Sequence, residues 1–122
     1  LSRLEVVVDM RERKHRMIAD SDAVISLPGG SGTFEELFEA LTLKRLGQFL
    51  GPIVLVNTRR YFDRFVDFLH HSVAENFMSE THLQMWSLAQ EPEDVLEAMR
   101  TATPWTADAR KFAAVRQQDS GV

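Results

Sequence analysis

The chain has 122 residues, no cysteine and a formal net charge of −4. This length suits one domain rather than two, the lack of thiols excludes disulfides and thiolate zinc sites, and the negative charge argues against a general nucleic-acid-binding surface. No apolar run approaches the roughly 20 residues of a membrane helix, and no signal peptide is visible. We therefore expect a cytoplasmic enzyme domain without a membrane or nucleic-acid partner.

Strands alternate with helices along the chain. Continuous apolar runs predict strands and helical spacing of apolar residues predicts helices. In chain order we predict a strand over 4–8, a helix over 10–19, a strand over 23–27, a helix over 33–46, a strand over 52–56, a helix over 61–74, a strand over 84–88 and a helix over 92–100. This order predicts an α/β fold, a Rossmann-like doubly wound parallel sheet in a three-layer α/β/α arrangement.

Domain boundaries and inward faces follow from the same patterns. We assign residues 1–102 to one nucleotide-binding and catalytic domain and residues 103–122 to a terminal helix or flexible tail. The last predicted helix should face inward with Val95, Leu96 and Met99.

A glycine-rich turn follows the second predicted strand. Residues 28–36 read P-G-G-S-G-T-F-E-E. Glycines let the backbone approach a ligand closely, and the first N–H groups of the following helix carry its positive dipole end. A strand, such a turn and a helix start together predict a phosphate site. The alternative is a tight connection without a ligand, and a single turn of this kind is a weak motif.

A basic cluster precedes this turn. Four cations within six residues, set against Glu12, give a local charge of +3, which leaves the rest of the chain at −7: Arg11, Arg13, Lys14 and Arg16. Arg13 and Lys14 lie on the helix face marked by Met10 and Met17. Buried cations need a carboxylate or a bound anion. They could instead extend to solvent or pair with a structural carboxylate.

Glu36 also has two interpretations. Thr33 and Glu36 fit the T-x-x-E capping box, in which the glutamate bonds back to the backbone at the helix start. A carboxylate beside a phosphate turn could instead act on the substrate.

The two motifs together resemble the LOG ("Lonely Guy") family. M-x-x-R-K begins at Met10 and P-G-G-x-G-T-x-x-E at Pro28, and the resemblance extends from about Leu4 to Arg100 in the order of motifs and elements. Members are phosphoribohydrolases that release the free base from nucleoside 5′-monophosphates, cytokinin ribotides in particular, and were long labelled lysine decarboxylase-like.

The resemblance implies a role for each matching residue. Arg13 and Glu36 would be the catalytic pair. Substrate binding, including that of the 5′-phosphate, would fall to Met10, Lys14, Gly29, Gly30, Ser31, Gly32 and Thr33. The alternative is a nucleotide- or phosphate-binding Rossmann-like domain without catalytic activity.

No cofactor is expected. Decarboxylation would normally use pyridoxal phosphate on a Schiff-base lysine, and none of the three lysines, Lys14, Lys44 and Lys111, is placed for that role. No metal is expected either, because the four histidines show no ligand spacing: His15, His70, His71 and His82.

We also expect the chain to be the C-terminal portion of a larger domain that self-associates. LOG-like proteins carry further strand–helix units before M-x-x-R-K. A sheet of four strands would expose an edge, and Tyr61 and Phe68 add a second apolar patch outside the main stripe of their helix. The resemblance points to a homodimer.

Overall fold

A computed structural model describes residues 4–7, 18 and 20–109, with 4–7 described as backbone only. The strands are β1 (Leu4–Val7), β2 (Ala23–Ser26), β3 (Ile53–Val56) and β4 (Trp86–Ala89). The α-helices are α1 (Ser31–Arg45), α2 (Asp63–Ala74) and α3 (Val95–Arg100). Short 3₁₀ turns cover Thr58–Arg60, Glu80–Gln84, Pro92–Asp94 and Ala107–Ala109. Of the helix predicted over 10–19, only Ile18 is described, and it is helical and buried.

The four strands form one parallel sheet in the order β1-β2-β3-β4. Val7, Ser26, Leu55 and Leu88 occupy one row across it. Because all four strands end near this row, the loops that follow them emerge at one edge, which is where parallel sheets bind their ligands.

The two central strands are buried on both faces. Val24, Ile53 and Leu55 belong to a core cluster with residues of α1 and α2. Ile25, Val54 and Val56 belong to a second cluster, which packs against α3. Successive side chains of a strand point to opposite faces, so a continuous apolar run supplies both clusters. The predicted parallel α/β/α arrangement is confirmed.

Two local predictions need correction. Leu96 is 76% exposed, because the inner stripe of α3 consists of Val95, Ala98 and Met99, and Leu96 is a third of a turn from Val95. The last strand begins at Trp86 rather than residue 84, since residues 80–84 form a 3₁₀ turn.

That turn is started by a reciprocal cap. Ser79 Oγ accepts a hydrogen bond from the Thr81 N–H at 3.2 Å, and His82 Nδ1 accepts one from the Ser79 N–H at 3.1 Å. His82 is buried, and burial lowers the pKa of its imidazole to about 4. The ring is therefore neutral at pH 7, as its role as acceptor requires.

The C-terminus of α1 lies at the amino edge of the sheet, where its last carbonyl groups are hydrogen-bonded. Gly47 has a positive φ of 78°. Its N–H donates to Lys44 O at 3.0 Å, and the Gln48 N–H donates to Leu43 O at 2.8 Å. This is a Schellman motif, which satisfies helix carbonyls that lack partners within the helix.

Trp105 covers the same end of α1. Its Nε1–H donates to Lys44 O at 2.7 Å, and its ring packs against the first core cluster. Lys44 is 1% exposed and donates from Nζ to Gly51 O at 2.7 Å. Burial lowers the pKa of Lys44 to about 8. The segment after α3 is thus attached to the core at Trp105.

Within the described residues, none of the helices has the length and apolar character needed to cross a membrane.

Candidate active site

The glycine turn lies at the carboxyl edge of the sheet, directly after β2. Gly30 is the N-cap of α1, with φ −110° and ψ −146°. The first hydrogen bond of the helix runs from the Phe34 N–H to Gly30 O at 3.0 Å. The N–H groups of residues 30–33 precede that bond and have no acceptor within the helix by its geometry. The positive end of the helix dipole lies at the same place and also favours an anion.

Gly29 and Gly30 differ in the space around them. A Cβ at Gly29 would overlap the side chain of Thr33, whereas a Cβ at Gly30 would meet no atom of the described residues within 4 Å. Gly29 is therefore required by contact within the turn. Gly30 instead leaves open space beside the helix N-terminus, which is where a phosphate would need room.

The capping-box interpretation of Glu36 is wrong. α1 begins at Ser31, two residues before the predicted start, so Thr33 is the third helical residue rather than the cap. Glu36 then lies in the second turn, out of position for a bond to the helix-start backbone.

Glu36 is buried beneath the turn. Thr33 and Glu36 are 3% and 1% exposed. Residues three apart share one helix face, and helical side chains lean toward the N-terminus. Glu36 therefore lies on the buried face of α1, three residues after Thr33.

The loop after β3 is organised by one amide side chain. Asn57 is buried, its Oδ1 accepts from the Phe62 N–H at 2.6 Å, and its Nδ2 donates to Asp63 Oδ1 at 2.8 Å. Arg60 Nε donates to the other oxygen of Asp63 at 2.6 Å. Hydrogen bonds from Asn57 and then Arg60 hold the pKa of Asp63 below its usual value. The carboxylate is ionised at neutral pH and closes the loop.

This loop contacts the glycine turn through Tyr61. The Tyr61 hydroxyl donates a hydrogen bond to the Gly29 carbonyl, across 32 positions of sequence. The Tyr61 ring packs edge to face on Phe62, with ring centroids 5.1 Å apart. Two neighbouring strand ends are thereby joined at the candidate site.

An aromatic groove adjoins the turn. It is lined by exposed rings of α1 and of the segment around α2, Phe34, Phe38, Tyr61 and Phe68 among them, which are 37–59% exposed. Phe38 packs edge to face on Phe65 at 5.3 Å between centroids. The predicted second apolar patch therefore includes residues of α1 as well as Tyr61 and Phe68.

The structure locates only part of the predicted site. Gly29, Gly30, Ser31, Gly32 and Thr33 lie together in the turn, with Glu36 beneath them. Met10, Arg13 and Lys14 lie outside the described residues.

Sequence reasoning missed Asn57, Tyr61 and Asp63 as parts of the site. A usable signal existed, because Asn57 directly follows a buried strand and parallel strands bring their carboxyl ends to one edge.

A family model described as "Possible lysine decarboxylase" matches residues 1–99. The chain belongs to this family. Its boundary at residue 99 falls within α3, so the match includes the turn, Glu36 and the loop of Asn57.

Several relatives carry a more specific name. The chain is 37% identical over 101 residues to a probable cytokinin riboside 5′-monophosphate phosphoribohydrolase of Oryza sativa subsp. japonica, covering 83% of this chain and 40% of the relative. It is 37% identical to the cytokinin riboside 5′-monophosphate phosphoribohydrolase of Rhodococcoides fascians, covering 83% and 51%. A relative of the same name from Arabidopsis thaliana is 35% identical, covering 83% and 47%.

These names confirm the resemblance to the LOG family. The chain spans about half the length of the relatives it matches.

Proposed function

We propose that this chain carries the catalytic site of a phosphoribohydrolase, which hydrolyses the N-glycosidic bond of a nucleoside 5′-monophosphate to the free base and ribose 5-phosphate. One observation carries the proposal: among the described residues nothing fills the space of a Cβ at Gly30, the N-cap of α1, and the carboxyl group of Glu36 is buried in the next turn. The substrate is of the cytokinin ribotide or AMP type, in keeping with the relatives' names.

The turn would hold the 5′-phosphate. N–H groups at the start of α1 donate to its oxygens, the helix dipole favours its charge, and the absence of a side chain at Gly30 allows close approach. Ser31 and Thr33 each bring a hydroxyl to the same end of α1. This anchors the end of the substrate that does not react.

Glu36 would act on the sugar. Cleavage of an N-glycosidic bond develops positive charge on the ribose ring, by analogy with glycoside hydrolysis. A carboxylate near C1′ stabilises that charge and orients the attacking water. Arg13 completes the proposed pair, with Lys14 adding positive charge and Met10 contributing to substrate binding. This assignment rests on the match between M-x-x-R-K and the LOG family.

The family description does not lead us to propose decarboxylation. Lys44 is buried at the amino edge of the sheet and its Nζ is bonded to Gly51 O, at the end of α1 opposite the turn. We propose that the reaction needs no cofactor and no metal, and that it takes place in the cytoplasm.

A turnover assay tests the function. Purified full chain is incubated with AMP and N6-isopentenyl-AMP, and with the matching nucleosides as controls that lack the phosphate. We expect free base and ribose 5-phosphate from the monophosphates and a much lower rate from the nucleosides. Binding of monophosphates without release of base would contradict the proposal and establish the alternative, a nucleotide-binding domain without catalysis.

We propose that the protein acts as a homodimer through the aromatic groove. Phe34 follows the turn and Tyr61 is bonded to it, so a second copy bound at the groove would place its own residues beside the phosphate-binding turn. Light scattering coupled to size-exclusion chromatography should give twice the chain mass for the wild type. Phe68→Lys, at the most exposed ring of the groove, should give a monomer, and an unchanged mass would rule out this surface.

The division at residue 102 stays a proposal. We assign catalysis to residues 1–102, and the docking of Trp105 attaches the beginning of the following segment to the core.

A further inference from the structure

We infer that Tyr61 is a positioning residue for the phosphate turn. Its hydroxyl holds the Gly29–Gly30 peptide in the orientation that presents the Gly30 N–H to the phosphate. This inference rests on the proposed function, which it deepens by naming what holds the anion-binding amide in place.

The argument begins with the geometry of one peptide unit. The Gly29 carbonyl and the Gly30 N–H belong to the same peptide, and in a planar trans unit they point in opposite directions. The Tyr61 hydroxyl bonds to the carbonyl. A restraint that fixes the carbonyl on the Tyr61 side therefore also fixes the direction of the Gly30 N–H, which points away from Tyr61.

A glycine peptide needs such a restraint. Glycine reaches both signs of φ at little cost, so a peptide between two glycines rotates more readily than others. Thr33 limits the space at Gly29, but no atom in the part of the chain that the structure describes stands within 4 Å of a Cβ built at Gly30. The hydrogen bond from Tyr61 supplies a restraint that packing around Gly30 does not.

The loop that carries Tyr61 is itself held firmly. Arg59 and Arg60 both have positive φ, 57° and 62°, a conformation that costs non-glycine residues about 1–2 kcal/mol each. Such strain persists where the surroundings over-determine it. Here Asn57 bonds to the backbone of Phe62 and to Asp63, and Asp63 also accepts from Arg60.

Tyr61 combines a fixed backbone with an exposed side chain. It is 45% exposed, while Phe62 beside it is 1% exposed and anchors the loop in the core. Removal of the Tyr61 hydroxyl should therefore leave the fold intact. This separates a role in positioning from a role in stability.

The test compares Tyr61→Phe with the wild type and with Ser72→Ala. Ser72 Oγ donates to Phe68 O on α2, so the control also removes a side-chain bond to a backbone carbonyl, but away from the turn. Losing a bond of this kind costs about 0.5–1.5 kcal/mol, which corresponds to roughly 2–12-fold in affinity. We expect Tyr61→Phe to raise the Kd for ribose 5-phosphate and the KM for AMP by about 3–10-fold, with kcat kept and a melting temperature no lower than that of Ser72→Ala.

A second readout needs no ligand. We expect the Gly30 amide signal of Tyr61→Phe to shift and broaden in ¹⁵N-correlated NMR spectra as the peptide gains freedom, while Ser72→Ala leaves it unchanged. An unaltered Gly30 amide together with an unaltered Kd would overturn the inference.

The two proposals fail in different ways. Wild type that binds ribose 5-phosphate but releases no base would remove the proposed catalysis, and the effect of Tyr61→Phe on Kd would still decide the positioning role. Turnover by the wild type with a KM that Tyr61→Phe does not change would leave the function standing and remove the positioning role.

Discussion

The two ends of α1 use their backbone groups in opposite ways. At the C-terminus, carbonyls of Leu43 and Lys44 accept hydrogen bonds from Gln48, Gly47 and Trp105. At the N-terminus, Gly30 brings no side chain to cap the helix and borders open space. Carbonyls at the C-terminal end of α1 thus have partners within the protein, whereas we propose that amides at the N-terminal end bind the substrate phosphate.

Glycine has a different use at each end. Gly47 adopts a positive φ that closes the helix, and a Cβ there would lie 2.5 Å from the carbonyl oxygen of Ala107. Gly30 has a negative φ and leaves space. One glycine therefore serves folding and the other serves approach of a ligand, which makes stability and binding separable by mutation.

The largest effect should come from Glu36→Gln. The amide replaces the carboxyl group that we propose to stabilise the developing charge, and removal of a positioned acid–base group typically costs 10²–10⁴-fold in rate. We expect kcat for base release to fall by about that factor, with ribose 5-phosphate binding retained. Glu35→Gln, at the exposed neighbour of Glu36, should keep its rate. Equal rates for wild type and Glu36→Gln would exclude Glu36 as a catalytic residue.

The next largest effect should distinguish the two glycines. Gly47→Ala forces an alanine into a left-handed conformation against Ala107, and we expect the free energy of unfolding to drop by about 2–4 kcal/mol. Gly30→Ala should change it by less than about 1 kcal/mol and instead raise the Kd for ribose 5-phosphate at least tenfold, or about 1.4 kcal/mol. Urea unfolding and calorimetric titration measure the two quantities. The distinction would be wrong if Gly47→Ala weakened ligand binding and Gly30→Ala lowered the free energy of unfolding.

The free energy of unfolding measured over a range of pH tests the role of Lys44 at the C-terminal end of α1. Burial lowers the pKa of Lys44 from 10.5 to about 8, so between these values the unfolded chain binds more protons than the folded one. The contribution of Lys44 to stability is therefore largest above pH 10.5 and declines as the pH falls to 8. We expect a rise of about 1–3 kcal/mol across this window, because one pKa unit corresponds to about 1.4 kcal/mol. Lys44→Met should lack this rise, and parallel profiles for the two proteins would refute its origin in Lys44.

The smallest effect should come from Trp105→Phe. A phenyl ring replaces the indole and the donor to Lys44 O is lost; loss of the hydrogen bond should cost about 0.5–1.5 kcal/mol of unfolding free energy. Trp86→Phe controls for lost ring volume, because Trp86 packs against the same core from β4. An equal loss in both variants would show that ring volume, rather than the hydrogen bond, stabilises the C-terminal segment.

Much of the fold could be predicted because its signals are local. The runs at β2 and β3 are apolar at each position, which in a parallel sheet means burial on both faces, and the structure divides them between two clusters. Helix starts were harder, because the glycine turn masks where α1 begins. That difference of two residues decided the position of Glu36 relative to the cap.

Exposure on the helices could be predicted less well. Phe34 and Phe38 have the same helical spacing as Leu37 and Leu41, yet the two rings are 37% and 42% exposed while both leucines are buried. Spacing shows which residues share a stripe, but the breadth of the buried part depends on what packs over it. Here Phe34 and Phe38 lie on the side of the stripe that lines the aromatic groove.

The sequence by itself determined the parallel α/β class, the glycine turn and the similarity to the LOG family, because each depends on short stretches of neighbouring residues. Only the tertiary structure decided that Tyr61 bonds to Gly29 and that Trp105 bonds to Lys44, 32 and 61 positions apart. The physical reason is that contacts between distant segments depend on which strand ends lie side by side. The order of strands in the sheet therefore determines how the turn is supported and which end of α1 remains open.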